Sequence, residues 1–220
     1  GIVSGNFTFV GEPLDFYTKF DLKSGVGNIS GDGKLNLKPK DMVYRASVRA
    51  DGVNLEKVTG IQELRGPINT EFKVEGQGVD YRTMRTKLDY VINNSSVYGQ
   101  NISRSEGQIQ LNGGNANIDI KYLSQTLGSA IKGTIDFKNE ANVTYDLKGQ
   151  TSRLDFATLT SNPDDRTDLN LDFSIVGAGF NLASIKQGTG FKPDDLTGEY
   201  LFKVDKSEYT GLDIPPSDFA

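Results

Sequence analysis

Apolar and polar residues alternate from one end of this chain to the other. The beat runs through Phe7 and Phe9; Leu35 and Leu37; Tyr44, Ala46 and Val48; Phe72 and Val74; Leu88, Tyr90 and Ile92; Ile109 and Leu111; and Ile118, Ile120 and Tyr122. It continues in Ile131, Gly133, Ile135 and Phe137; Tyr145 and Leu147; Leu169, Leu171, Phe173 and Ile175; and Tyr200, Phe202 and Val204. A two-residue period sends successive side chains to opposite faces of a strand, so the pattern predicts on the order of a dozen strands, each with one apolar face. Turn chemistry at Gly31-Asp32-Gly33, Lys38-Pro39-Lys40, Asp51-Gly52, Asn93-Asn94, Gly113-Gly114, Lys138-Asn139 and Asp205-Lys206 predicts short loops between them. Short loops join antiparallel neighbours, and the expected topology is a meander.

Helix signals are few. Asn54–Gly60 and Asp155–Thr160 each open on a capping residue and carry apolar residues three apart, enough for one or two turns, and another turn is expected at Asn181–Ile185.

The chain also resembles itself. Shifted by 101 residues, Tyr44–Gly78 aligns with Tyr145–Gly179 without a gap, and seven of 35 positions are identical: Tyr44, Thr59, Arg65, Asn69, Phe72, Gly76 and Gly78. GKLNLK at 33–38 matches GTIDFK at 133–138, and LDYVINNSSVYGQNI at 88–102 matches YLFKVDKSEYTGLDI at 200–214, which implies 11 extra residues around Gly188–Asp195. A repeat of about 100 residues is expected, with leading strands or a partial unit over 1–32, one unit over 33–132, a second over 133–214 and a tail over 215–220.

Composition narrows the chemistry. The 220 residues contain no Cys and no His, which removes disulfides, thiolate metal sites, the commonest general base and the commonest transition-metal ligand. A net charge of −5 without a cationic run leaves no footprint for nucleic acid or an anionic membrane surface. The opening GIVSGNF has neither the charged nor the apolar region of a signal peptide, and the expectation is a piece of a longer protein whose signal or anchor lies elsewhere.

Three features invite a sharper reading. Gly25-Val-Gly27-Asn-Ile-Ser-Gly31 falls one residue off a dinucleotide fingerprint and no helix of useful length follows it, so its glycines read as turn or bulge residues. Asp164-Asp165 and Asp194-Asp195 lack the spacing of a calcium loop and read as solvated loop carboxylates. Ser95, Ser96 and Ser207 have no base to activate them and read as turn or strand hydroxyls. The apolar alternation itself stays open: Phe72, Val74, Phe173 and Ile175 face either a second sheet, as in a sandwich, or a ligand-lined groove.

The succession of an apolar strand, VNLEKV or LDFATL, a strand ending in Gly-x-Gly and a strand reaching Ser-x-x-x-Gly-x-x-Ile resembles the repeat of the TamB and AsmA-like proteins of Gram-negative bacteria, over most of the chain. That resemblance implies an all-β fold: a long twisted antiparallel sheet curled into an open apolar groove, a β-taco, built from tandem repeats with short helices. It implies a periplasmic protein anchored in the inner membrane outside this stretch. Its groove would conduct phospholipid acyl chains between the inner and outer membranes, with no enzymatic activity and no cofactor. An alternative is a scaffold for outer-membrane β-barrel proteins that pairs strands with its clients and with an Omp85-type partner; a β-sandwich adhesin or binding module is a second. The expected groove residues are Phe72, Val74, Leu88, Tyr90, Ile118, Ile120, Ile135, Phe137, Leu169, Leu171, Phe173, Ile175 and Phe202, with none assigned to catalysis, a cofactor or a metal.

Overall fold

The alternating segments become long strands joined in the order of the chain. The computed structural model describes residues 3–97, 100–157, 162–182 and 196–219. Its 15 strands fall into two compact units, Gly1–Asn112 and Gly113–Ala220. The first holds β1 (Val3–Glu12), β2 (Asp15–Ser24), β3 (Gly27–Asn36), β4 (Val43–Asn54), β5 (Pro67–Gln77), β6 (Arg85–Val97) and β7 (Gln100–Asn112), each antiparallel to the next. The second holds β8 (Asn115–Leu123), β9 (Gly128–Asp136), β10 (Val143–Leu154), β11 (Thr167–Phe180) and β12 (Thr197–Val204), again in order and antiparallel. Three short strands complete it: β13 (Ser207–Tyr209) pairs with β11 and with β14 (Leu212–Ile214), and β15 (Ser217–Phe219) pairs with β12. The sheet is open and all-β, and the expected meander is what forms.

Three segments expected as turns lie inside strands instead. Gly31-Asp32-Gly33 is mid-β3 and Asn93-Asn94 is in β6. Asp51-Gly52 is in β4, where the register against β5 jumps between Ala50 and Val53, so two residues oppose the single Asn69. Glycine reads alike at a turn, at a bulge and beside a large cross-strand side chain, and only the neighbouring strand distinguishes them.

The bulge is held by a small polar network. Gly52 (φ 62°) donates its N–H to Asn69 Oδ1 at 2.8 Å, and Asn69 Nδ2 donates to the Asn94 carbonyl at 2.8 Å. The Asn69 N–H reaches Ser95 Oγ at 2.8 Å, and Ser95, only 4% exposed, donates to the Asn93 carbonyl. In the second unit β10 jumps register between Thr151 and Leu154, and Arg153 (φ 56°) donates its N–H to Asn170 Oδ1 at 3.1 Å. Asn170 Nδ2 donates to the Lys206 carbonyl, the Asn170 N–H to Ser207 Oγ, and Ser207, also 4% exposed, to the Asp205 carbonyl.

A short helix follows the first bulge. In α1 (Leu55–Thr59) the Asn54 side chain accepts the Lys57 N–H, and Gly60 closes the turn at φ 77°. At the matching place in the second unit, Asp155 Oδ1 accepts the N–H groups of Ala157 and Thr167. Residues 158–161 and 183–195, which contain the remainder of the two other expected helical turns, Asp194-Asp195 and the extra residues, lie outside the described residues.

No second layer covers either sheet among the described residues. Among the described residues Val53, Ala116 and Val143 are the buried hydrophobic ones, and no large side chain is fully buried. The apolar side chains of the strands are instead half-buried against one another, while the opposite face is mostly exposed.

Candidate functional site

Strand register turns the alternation into rows, because directly opposite residues share a face. In the first unit one row runs Phe7, Phe20, Gly31, Val48, Phe72, Tyr90 and Gly107, and the next runs Phe9, Thr18, Gly33, Ala46, Val74, Leu88 and Ile109. In the second, one row is Ile120, Ile131, Gly149, Phe173, Phe202 and Phe219, and its neighbour is Ile118, Gly133, Leu147, Ile175 and Tyr200. Successive rows stand about 7 Å apart, two residues of strand rise.

Four of the expected groove residues, Phe72, Val74, Leu88 and Tyr90, are thereby brought together in the first unit, as two directly opposite pairs. Ile118, Ile120, Phe173, Ile175 and Phe202 share the two central rows of the second unit, with Ile135 one row to one side and Leu171 one row to the other. Leu169 pairs with Leu154 beyond the register jump, and Phe137 stands one residue past the end of β9, where its N–H bonds the Gly114 carbonyl.

Each of these rows contains a glycine, and at two of them a ring lies alongside. A methyl group on Gly31 would stand 3.1 Å from the Phe20 ring, and one on Gly149 would stand 2.6 Å from the Phe173 ring. Gly76 and Gly177, the first members of the two Gly-x-Gly pairs, serve the same purpose for tyrosines. A methyl group there would meet the hydroxyl of Tyr44 at 2.9 Å and of Tyr145 at 2.7 Å. Each tyrosine crosses the glycine strand to a hydroxyl on the strand beyond. Tyr44 Oη lies 2.5 Å from Thr86 Oγ1, and Tyr145 Oη lies 2.7 Å from Tyr200 Oη. Burial, reinforced by Tyr200, pushes the Tyr145 pKa up to about 12. Gly76 thus makes room for the Tyr44 side chain, and Gly78, just past the end of β5, has a left-handed φ of 80°.

Other hydroxyls on this face also find partners, Tyr90 with Ser105 and Ser129 with Thr151. Thr18 Oγ1 is the buried side-chain oxygen left without one among the described residues.

The opposite face carries charges, many of them opposite a partner of the other sign: Lys19 faces Asp32, Lys73 faces Asp89, and Glu75 lies between Arg45 and Lys87, while Lys34 faces Arg45 and Lys132 faces Lys148. Arg49 reaches Glu71 at 2.6 Å and Lys132 reaches Asp119 at 2.9 Å. Gln108 donates to Asp89 at 2.7 Å, the main cause of the lowered Asp89 pKa. Hollows of ≈ 500 and ≈ 310 Å³ in the first unit are lined chiefly by residues of this charged face, Arg49, Glu71, Lys73 and Asp89 in one and Arg45, Lys73, Glu75 and Lys87 in the other. Because opposite charges answer each other at close range, neither hollow carries a strong surplus of one sign; Asp32 also lines both.

Asp164-Asp165 occupies a single helical turn capped by Asn162. Among the described residues no three metal-ligating side chains cluster, and no helix is long and apolar enough to cross a membrane. Sequence reasoning missed the Asn69–Ser95 and Asn170–Ser207 networks. Their signal was present, since both residues recur in the self-alignment, at offsets of 101 and 112.

No family model, curated protein or solved structure matches the chain.

Proposed function

We propose that this chain is a segment of a periplasmic, TamB/AsmA-like protein whose apolar sheet face conducts phospholipid acyl chains between the inner and outer membranes. One observation carries the reading: rows of half-buried and exposed Phe, Ile, Leu and Val run across each unit with no covering layer among the described residues. A sheet with one apolar face covers it with a second layer, by curling or with a ligand. Curling of this sheet into an open groove and an acyl chain lying in it satisfy that requirement together. Each methylene taken from water is worth about 0.8 kcal/mol, so binding needs no charged anchor.

Tandem repetition is part of the proposal. It is supported by the recurrence of one bulge, one Asn–Ser network and one Tyr-over-Gly crossing at aligned positions. A repeated surface extends by stacking, which suits a conduit better than a closed pocket. No covalent step is assigned to any residue. The compartment and the membrane anchor come from the resemblance.

A photo-crosslinking residue at Phe72 or Phe173 in the full-length protein, in cells, should yield phospholipid adducts, and one at Glu71 or Lys148 on the charged face should not. Adducts with proteins alone would overturn the proposal. They would favour a scaffold that pairs strands with outer-membrane β-barrel clients, for which the ten exposed residues of β1, paired only to β2 among the described residues, are the suited edge.

A further inference from the structure

The apolar face is not uniform, because among its hydroxyls each unit sets one pair that meets across a glycine strand. Tyr145 and Tyr200 meet oxygen to oxygen at 2.7 Å, and Tyr44 and Thr86 at 2.5 Å. Two hydroxyls bring two protons, and the bond between them uses one. No other hydrogen bond engages these four side chains among the described residues, so each pair retains one O–H without an acceptor in the protein. Around Tyr145 and Tyr200 stand the side chains of Ile135, Leu147 and Ile175, none of which can accept it.

In water that spare donor is satisfied at no cost. When an acyl chain displaces the water, the donor stays unpaired unless the occupant brings an acceptor, and an unpaired polar group in apolar surroundings is penalised. A saturated chain has no acceptor along its length, but where it joins glycerol it carries an ester carbonyl. From the Tyr145 row the apolar face continues along β11 through Ile175, Phe173, Leu171 and Leu169, about 20 Å from Ile175 to Leu169. An ester carbonyl at the hydroxyl pair and a chain along those side chains therefore fit the same surface.

We propose that the Tyr145–Tyr200 and Tyr44–Thr86 pairs are the specificity-determining elements of this face, donating a hydrogen bond to the ester carbonyl of an acylated glycerolipid. The proposal rests on the acyl-chain reading above. The glycines at 76 and 177 have a role in it: they let each tyrosine lie across the sheet and hold its oxygen against the second hydroxyl. The bonding is donor to acceptor only, and no proton is transferred.

The test is a competition on the purified full-length protein. It is incubated with vesicles holding equal amounts of diacyl phosphatidylethanolamine and its dialkyl ether analogue of the same chain length, and the bound lipid is read by mass spectrometry. The ether lacks the carbonyl oxygen and keeps the chains and headgroup. The expected result is enrichment of the ester lipid by about fivefold, the ratio that one net hydrogen bond supplies. The ratio should fall towards one when Tyr145→Phe and Tyr200→Phe are combined with Tyr44→Phe and Thr86→Val, changes that keep the side-chain volumes over the glycines. Equal binding of ester and ether lipid by the unaltered protein would overturn this inference and leave the acyl-chain reading standing. Binding of neither lipid would overturn both.

Discussion

The units Gly1–Asn112 and Gly113–Ala220 build the same corner from different residues. In the first, the bulge position at φ 62° is a glycine, Gly52; in the second, the aligned position at φ 56° is Arg153. The Asn and Ser that grip the bulge are the same in both. The partners therefore impose the left-handed backbone, and the residue that adopts it can vary at a cost of about 1 kcal/mol. The strand that bears the Ser differs too. β6 passes the network unbroken with Asn94 at φ 42°, whereas the corresponding stretch divides into β12 and β13. Side-chain hydrogen bonds outlast strand continuity here because Ser95 and Ser207 are buried, and losing their bonds would strand backbone groups.

The comparison can be broken most forcefully at the crossing glycines. A side chain at Gly76 or Gly177 would meet a backbone carbonyl at 2.6 Å, that of Arg85 or of Thr197, as well as a tyrosine hydroxyl. Gly76→Val and Gly177→Val should each cost about 3 kcal/mol in urea unfolding. An unchanged unfolding midpoint for either variant would mean that the two crossings are not equivalent. Ser95→Ala and Ser207→Ala come next, at about 2 kcal/mol each, because each leaves a backbone N–H without its partner. The two values should agree to within about 1 kcal/mol; a larger gap would show that the continuous β6 shares the load that the broken strand cannot.

At the bulge the two units should respond with opposite signs. Gly52→Ala meets no atom within 4 Å yet must hold φ 62°, so it should lose about 1 kcal/mol, whereas Arg153→Gly relieves the same strain and should gain about 0.5 kcal/mol. Thermal unfolding of both variants measures the pair, and the same sign in both would refute the shared geometry.

The smallest effect is in pH. The Tyr145 pKa is raised from 10.0 to about 12, so the folded state holds a proton that the unfolded chain releases. The associated stability is full below pH 10 and falls as the pH rises towards about 12. Urea midpoints across that window should decline more steeply for the unaltered protein than for Tyr145→Phe. Parallel curves would show that the phenol is not insulated.

Much of this was legible beforehand. Phe72 and Val74, or Phe173 and Ile175, announce a strand and its apolar side through a two-residue period, which depends only on local backbone geometry. The helical turn after Asn54 was legible for the same reason, since its cap and its closing glycine lie within seven residues. Gly31-Asp32-Gly33 and Asp51-Gly52 misled because a glycine's role is set by what lies opposite, and Phe20 and Asn69 are 11 and 17 residues away in the chain. The hydroxyl pairs were beyond reach in the same way, Tyr145 and Tyr200 being 55 residues apart.

The sequence by itself determined the strand content, the side of each strand that shuns water, the self-similarity at offsets of 101 and 112, and the exclusion of thiol and imidazole chemistry. These follow from residue identity and local spacing. Only the tertiary structure decided which residues stand opposite one another: Gly76 under Tyr44, Gly177 under Tyr145, Ser95 against Asn69. Register is a relation between distant strands, and a one-residue slip would have left every local pattern intact while moving each of these pairs apart.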